Sequence, residues 1–342
     1  MPAKPFTLAI VGATGAVGRT LLEALEDRDL ELAELRLLGG ARSAGQELEV
    51  RGDTLKLVQA SPGAFRGCDV VIFCAGGEVS RTLVPAARQA GAAVVDGSGA
   101  FRADPQVPCL IPELAGEALA RPGLDLVAAP GALATALALA LQPLHRAAGL
   151  ERVICDAILS ASSAGRTGVE QLERETADLL NGREPQPPAP FAHRVGFNLL
   201  PLGPGAAGAA QAAGADEATA AAQEVPRLLG LPGLPISVGA VVAPLFHGHL
   251  AALHVGLARP LDLEAARAAL RAAPAVKVID AAAEAIYPMP MLAVNDDAVL
   301  AGRLQVDAAL SNGLSLLVAL DNLRRGAATN LLGLAEALAA RR

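Results

Sequence analysis

Ala9-Ile-Val-Gly-Ala-Thr-Gly-Ala-Val-Gly-Arg-Thr20 is the stretch from which the fold is read. The short apolar run Leu8 to Val11 reads as a buried parallel strand. It leads directly into Gly12, Gly15 and Gly18 and then into a helix over Thr20 to Leu25. A strand, a tight turn and a helix N-terminus leave backbone N–H groups able to hold a phosphate. In that arrangement Gly12 lets the chain turn, Gly15 admits a pyrophosphate, and Gly18 lets helix and strand pack closely. Thr14, Ala16 and Val17 belong to the same loop. The strand before and the helix after are the context that separates a dinucleotide fingerprint from a chance run of glycines.

A chain of 342 residues exceeds what one simple core fills and implies two domains. Hydrophobic residues make up 52% of it, so a core is easily buried. Aromatic residues make up 2% and Trp is absent, which argues against a base-stacking nucleic-acid surface. The net charge of −7 points the same way, because phosphate backbones require a basic face. No apolar run reaches membrane-spanning length without glycine or charge, and Met1-Pro-Ala-Lys-Pro5 has no signal-like apolar region. Cys68, Cys74, Cys109 and Cys155 lack the paired spacing of a zinc site or a disulfide framework. The expectation is a cytoplasmic protein with reduced thiols and no metal, nucleic-acid or membrane partner.

From Thr20 to about residue 100 strands and helices alternate. Strands are expected over Glu34 to Leu38, Asp69 to Cys74 and Ala92 to Val95, with a helix from about Val79 to Ala90. This succession predicts an α/β fold: a Rossmann-type, doubly wound parallel sheet with its ligand at the strands' carboxyl ends. An NAD-binding fold usually ends its second strand on an acid that holds the ribose hydroxyls. Here Gly39-Gly40 stand in that place, followed by Arg42 and Ser43. A guanidinium pairs with a 2′-phosphate, which favours NADP over NAD; a solvated loop arginine is the plainer reading.

Several segments resemble the aspartate-semialdehyde dehydrogenases. They are the Gly12 to Gly18 loop, Ala41-Arg-Ser-Ala-Gly45, Ala75-Gly76-Gly77, Ala100-Phe-Arg-Ala-Asp-Pro105, Phe197-Asn198 and Asp321-Asn-Leu-Arg-Arg-Gly-Ala-Ala-Thr-Asn330. They run in order over nearly the whole chain, and the last is the most specific. The resemblance implies a dinucleotide-binding domain over 1–130, completed by a C-terminal helix over 322–342. A glyceraldehyde-phosphate-dehydrogenase-like α+β domain over 131–321 would serve dimerisation and catalysis, in a homodimer. It also implies that Ser163, Gly165 and Asn330 join the dinucleotide site, that Arg102 binds phosphate, and that Glu224 matches a substrate glutamate.

The family reaction is the NADPH-dependent reductive dephosphorylation of aspartyl phosphate, or its reverse, in amino-acid biosynthesis. It requires a cysteine thiolate, an acid–base histidine and anion-holding arginines. The cysteine belongs at a helix N-terminus within Asn-Pro-Asn-Cys-Ser-Thr. This chain reads Ala129-Pro-Gly-Ala-Leu-Ala134, and Pro130 fixes the register, so Ala132 stands at the nucleophile. Leu159 replaces the family's substrate glutamine, Val242 its second substrate arginine, and Ala220 its lysine. His249 occupies the acid–base position; as a lone histidine on an apolar strand it equally suits a hydrogen-bonded core role. His247 would share its strand face, with no acid or cysteine of suitable spacing to complete a metal site. Cys74, beside Ala75-Gly-Gly77, and Ser160, Ser162 and Ser163 are the nearest substitute nucleophiles.

In the second domain long strands are expected over Val153 to Ser160, Gly239 to Leu245 and His249 to Gly256, with a helix over Gly168 to Asn181. Gly203 to Ala222 reads as a lid, a loop or a weak helix, and Asn322 to Ala340 as one helix. Two function classes fit. The first is a silent homologue that binds NADP and serves a regulatory or partner-binding role, as in Usg-type paralogues. The second is an active oxidoreductase acting by a changed mechanism on a related acid aldehyde or acyl phosphate. In the first, Leu133, Leu159 and Val242 would fill the cleft with apolar groups.

Overall fold

The computed structural model describes residues 4–187, 189–202 and 217–341. Two compact units divide the chain: Met1–Pro130 with Ala327–Arg342, and Gly131–Gly326. In the first unit the chain forms β1 (Phe6–Val11), α1 (Ala16–Glu26), β2 (Leu32–Gly39), β3 (Glu47–Val50), β4 (Asp53–Lys56) and β5 (Val58–Gln59). It continues through β6 (Val70–Phe73), α2 (Gly77–Gln89), β7 (Ala93–Asp96), α3 (Pro112–Ala115) and β8 (Leu126–Ala128). Six strands make one sheet in the order β5-β2-β1-β6-β7-β8, every pair parallel. The order reverses across β1 and β6, the switch point at which doubly wound sheets bind ligands.

Alternation along each strand explains why both faces are covered. Leu8 and Ile10 of β1 point into one core with Leu21 and Leu25 of α1, whereas Ala9 and Val11 point into a second with Val84 and Ala87 of α2. Buried on both sides, β6 reads as an unbroken apolar run rather than an alternating one, and β7 is apolar up to its closing Asp96. Helix α1 begins at Ala16, earlier than the expected Thr20, because Gly15 adopts an extended conformation and serves as N-cap.

The second unit runs α4 (Ala132–Ala148), β9 (Leu150–Leu159), α5 (Gly165–Leu180), β10 (Leu200–Leu202), α6 (Glu217–Leu228) and β11 (Ile236–Val242). Next come β12 (His249–Leu257), α7 (Leu263–Ala272), β13 (Val276–Val278), α8 (Pro290–Ala293), β14 (Val299–Asp307) and β15 (Gly313–Leu320). Its seven-stranded mixed sheet has the order β10-β11-β9-β12-β15-β14-β13. Along β9, Val153, Cys155, Ala157 and Leu159 are buried while Arg152, Ile154 and Asp156 are exposed, the pattern of a sheet with one open face. Helix α4 is buried continuously from Leu133 to Leu141, which is why its sequence is apolar all round.

Two expectations change here, and a third falls largely outside the described residues. The strand expected over Gly239 to Leu245 spans Ile236–Val242 instead. The chain then turns, and β12 starts at His249, after Gly248 at φ +83. His247 therefore lies before the strand and does not share a strand face with His249. Of Gly203 to Ala222, residues 203–216 lie outside the described residues, and 217 onward opens α6. Asn322 to Ala340 is not one α-helix: a turn and a wide π-helical segment, Arg324–Ala328, precede α9 (Thr329–Ala339), which belongs to the first unit. No helix among the described residues is long and apolar enough to cross a membrane.

Candidate functional site

At the carboxyl end of β1, Gly12 sits at φ +99, and a Cβ there would lie 2.8 Å from the Ala75 amide nitrogen. A Cβ on Gly18 would lie 2.2 Å from the Gly12 carbonyl oxygen. Both conflicts are with backbone, so only glycine permits this approach of loop, helix and strand. Gly15 donates its N–H to Gly12 O at 3.0 Å, and α1 has neither a side-chain cap nor an acid in its first turn. Its N-terminal amides and positive dipole end suit an anion. Beside them is a cavity of about 340 Å³ lined by Val11, Gly12, Gly39, Gly40, Ala75 and Glu78, among others. No carboxylate ends β2; Arg42 is exposed in the following turn, and Ser43 Oγ donates to Gly40 O at 3.1 Å.

Arg102 is held by backbone. Its Nε donates to Ala129 O at 2.8 Å and its Nη2 to Gly97 O at 3.4 Å, tying the guanidinium to the ends of β8 and β7. Asp96, which closes β7, accepts the Ser98 hydroxyl at 2.6 Å. Asn330 is fully buried near the start of α9.

In the second unit Ala132 is the first residue of α4, half-buried, behind the N-cap Gly131. Leu133, Leu159 and Val242 are each fully buried, and Leu159 and Val242 are register partners on β9 and β11. His249 is 1% exposed. Its Nδ1 accepts the Ser160 backbone N–H at 3.2 Å, which places the proton of a neutral imidazole on Nε2. That Nε2 faces Glu217 Oε2 at 3.6 Å. Glu217 Oε1 accepts the Leu133 N–H at 3.0 Å, and Glu224 Oε2 accepts the Gly131 N–H at 2.8 Å. Asn322 Oδ1 accepts the Gly248 N–H at 2.9 Å, while its Nδ2 donates to Ser162 Oγ at 2.9 Å. Ser160 Oγ lies 3.2 Å from His249 Nδ1 and is fully buried. Ser163 Oγ is buried with no hydrogen-bond partner, and Gly165 turns at φ +67 to open α5.

Two of these residues have no site role that the sequence made legible. Glu217 is the acid that reaches His249, and Asn322 anchors the turn before it. The spacing of Glu217 and Glu224, seven residues apart and so on one face of a helix, was the available signal for the first. Asn322 carried none beyond its place in the C-terminal segment.

Three of the four cysteines are held as neutral thiols. Burial pushes the Cys74 thiol up to about 12, and its Sγ–H donates to Val11 O at 3.2 Å. Burial pushes Cys155 up to about 12 as well, and raises Cys68. Neutral thiols of this kind behave as small hydrophobes. Among the described residues no group of three His, Cys, Asp or Glu side chains could hold a metal ion.

Residues 7–121 match the NAD-binding domain of semialdehyde dehydrogenases, and residues 141–325 match their dimerisation domain. The chain belongs to the aspartate-semialdehyde dehydrogenase family. It is 36% identical over 341 residues to an aspartate-semialdehyde dehydrogenase of Synechocystis sp., covering 99% of this chain and 98% of the relative. A crystal structure of aspartate-semialdehyde dehydrogenase II of Vibrio cholerae complexed with ASA superposes with a TM-score of 0.91 at 32% identity, covering 98% of each chain. The Candida albicans enzyme with NADP shares the fold, at a TM-score of 0.76 and 19% identity, covering 99% of each chain. In this family member, then, a Rossmann-like unit carries the dinucleotide fingerprint and a mixed-sheet unit carries the dimerisation domain.

Proposed function

We propose that this family member holds a dinucleotide and does not run the thioester reaction that the resemblance implies. The observation that carries this reading is Ala132 at the head of α4: a methyl group cannot attack a carbonyl, and covalent catalysis needs an activated nucleophile. Leu159 and Val242, both fully buried, support it, since neither can orient an acidic substrate.

The dinucleotide is NADP, with NAD as the alternative. Support comes from the glycine loop, from Arg42 and Ser43 after a strand that lacks a terminal acid, and from the NADP bound by the Candida relative. Gly12, Thr14, Gly15, Ala16 and Val17 would hold the pyrophosphate on the α1 amides. Ala75, Gly76, Gly77, Ser163, Gly165 and Asn330 would contact the rest, and the buried, unpartnered Ser163 Oγ suits a ligand hydrogen bond. Bound, the dinucleotide supplies a hydride donor or acceptor. Arg102 keeps an anion contact without the chemistry. The assembly is a homodimer formed through the second unit, which matches the dimerisation domain over residues 141–325. Its role is regulatory or partner-binding, and its expected location is the cytoplasm.

The test is a titration with NADPH, together with nicotinamide reduction in the presence of aspartate semialdehyde, phosphate and NADP. The expected result is saturable NADPH binding with no turnover above an Arg102→Ala, His249→Ala control. Failure to bind NADPH or NADH overturns the proposal. Turnover above the control supports the second reading, an NADP-dependent oxidoreductase acting on a related acid aldehyde or acyl phosphate. The retained, oriented His249 imidazole favours that reading.

A further inference from the structure

The first unit holds a second cavity, of about 370 Å³, at the outer edge of its sheet, where β8 is the last strand. Small-ligand pockets occupy about 300–1,000 Å³, so the space is of that size. None of its described lining residues lines the cavity beside Gly12. Its apolar wall is the margin of the hydrophobic core, with Val107 and Leu126 buried and Phe101 and Leu124 half-buried.

Two arginines and two aspartates line the same space, and they divide by what they already hold. Arg88 and Asp125 neutralise one another, Nε and Nη2 donating to the two carboxylate oxygens at 3.1 and 3.0 Å. Arg121 and Asp104 are left over. Arg121 sits in a turn fixed by Arg341, whose guanidinium donates to the carbonyl oxygens of Arg121 and Leu124. The Arg121 guanidinium itself engages no group among the described residues. Asp104 Oδ1 accepts the Gln106 N–H at 2.8 Å, which orients the carboxylate, and its Oδ2 has no partner among the described residues. A free cation and a free anion thus face one cavity without pairing with each other.

An occupant must satisfy both charges at once and cover an apolar wall. A phosphate or a dicarboxylate would face like charge at Asp104 and Asp125, and a diamine would face it at the two arginines. A zwitterion faces neither. We propose that this cavity binds a free α-amino acid with an apolar side chain. Its carboxylate lies on Arg121, its ammonium on Asp104 and its side chain against Phe101, Val107 and Leu126. Phe101 is followed directly by Arg102, so the occupant lies one residue from the guanidinium that holds Gly97 O and Ala129 O. The site is built from the first unit alone and does not require a bound dinucleotide.

The probe is L-phenylalanine, titrated into the full-length chain and followed by protein NMR shifts. Two analogues are titrated beside it: 3-phenylpropionate, which lacks the ammonium, and phenethylamine, which lacks the carboxylate. The expected result is saturable binding of L-phenylalanine, with each analogue about fivefold weaker, the most that one exposed charge pair contributes. Arg121→Gln should weaken L-phenylalanine and 3-phenylpropionate by the same factor and leave phenethylamine unchanged. Asp104→Asn, which keeps an oxygen for the Gln106 amide, should weaken L-phenylalanine and phenethylamine and leave 3-phenylpropionate unchanged. Both side chains are exposed, and unchanged melting temperatures confirm that the variants fold. The proposal is overturned by no saturable response to L-phenylalanine, by equal binding of all three compounds, or by variants that weaken all three alike. NADPH titration of the same samples is read separately, so loss of this site leaves the dinucleotide reading standing.

Discussion

Leu159 and Val242 are register partners on the adjacent parallel strands β9 and β11, and neither exposes any surface. The resemblance places a glutamine and an arginine at these two positions. Their replacement is therefore one continuous apolar contact, not two isolated losses. Restoring the nucleophile alone leaves that contact in place. Ala132→Cys is expected to show no phosphate-dependent reduction of NADP with aspartate semialdehyde, because the substrate still lacks its amide and guanidinium partners. Measurable turnover in that single variant would show that the apolar pair does not matter.

The glycine loop makes a sharper demand. An alanine at Gly18 puts a methyl group 2.2 Å from Gly12 O and 2.8 Å from the Ala13 backbone, so strand and helix must separate. Overpacking of this kind costs about 1–3 kcal/mol. Gly18→Ala should melt at lower temperature and lose NADPH affinity by about tenfold or more. Gly63→Ala, where a Cβ meets nothing within 4 Å, is the matched control and should change neither. Calorimetric titration and thermal melts of the two variants decide it.

How much was legible follows from how local each signal is. The β1–Gly12–Gly18–α1 unit is encoded in consecutive residues, so strand, turn and helix could be read together, and only the helix start moved when Gly15 proved to be its N-cap. Ala132 was readable because Pro130 pins its register. The surroundings of His249 were not. Glu217 arrives from α6, Ser160 from the end of β9 and Asn322 from beyond β15, so their meeting depends on tertiary packing. A period-two pattern likewise could not foresee that Gly248, at positive φ, breaks the strand between His247 and His249.

On the sheet's far side, His254 Nδ1 lies 2.7 Å from Asp307 Oδ2, and the Ala309 N–H donates to Asp307 Oδ1 at 2.9 Å. The His254 hydrogen bond first, and the Ala309 N–H second, hold the Asp307 carboxyl below the usual carboxylate range. A carboxyl with a lowered folded-state pKa contributes stability above its unfolded pKa and loses it as pH falls through the folded value. Asp307→Asn should therefore be destabilised near about pH 6, and the difference should vanish by about pH 2 to 3. The gap should be at most about 1 kcal/mol, because His254 is 44% exposed and water screens the pair. Urea unfolding of both chains across this range is the measurement. A gap that persists in strong acid would mean that the side chain acts through packing and not through charge.

The head of α4 offers a last test, because a thiol there would meet an environment unlike the one that activates cysteines. Helix N-termini ordinarily lower a thiol's pKa through their free amides and positive dipole. In this chain the Gly131 and Leu133 amides are already engaged by Glu224 and Glu217, and both carboxylates stand against the same turn. A thiolate at position 132 would face those negative charges, which raise its pKa. The thiol of Ala132→Cys should thus titrate higher than that of Ala132→Cys, Glu217→Gln, by about one unit for the removal of one nearby like charge. Thiolate absorbance and alkylation rate as functions of pH report the difference when read against the unaltered chain, whose four free cysteines supply the common background. Equal titration of the two variants would mean that Glu217 swings away when a side chain grows at position 132, leaving the helix end free to activate it.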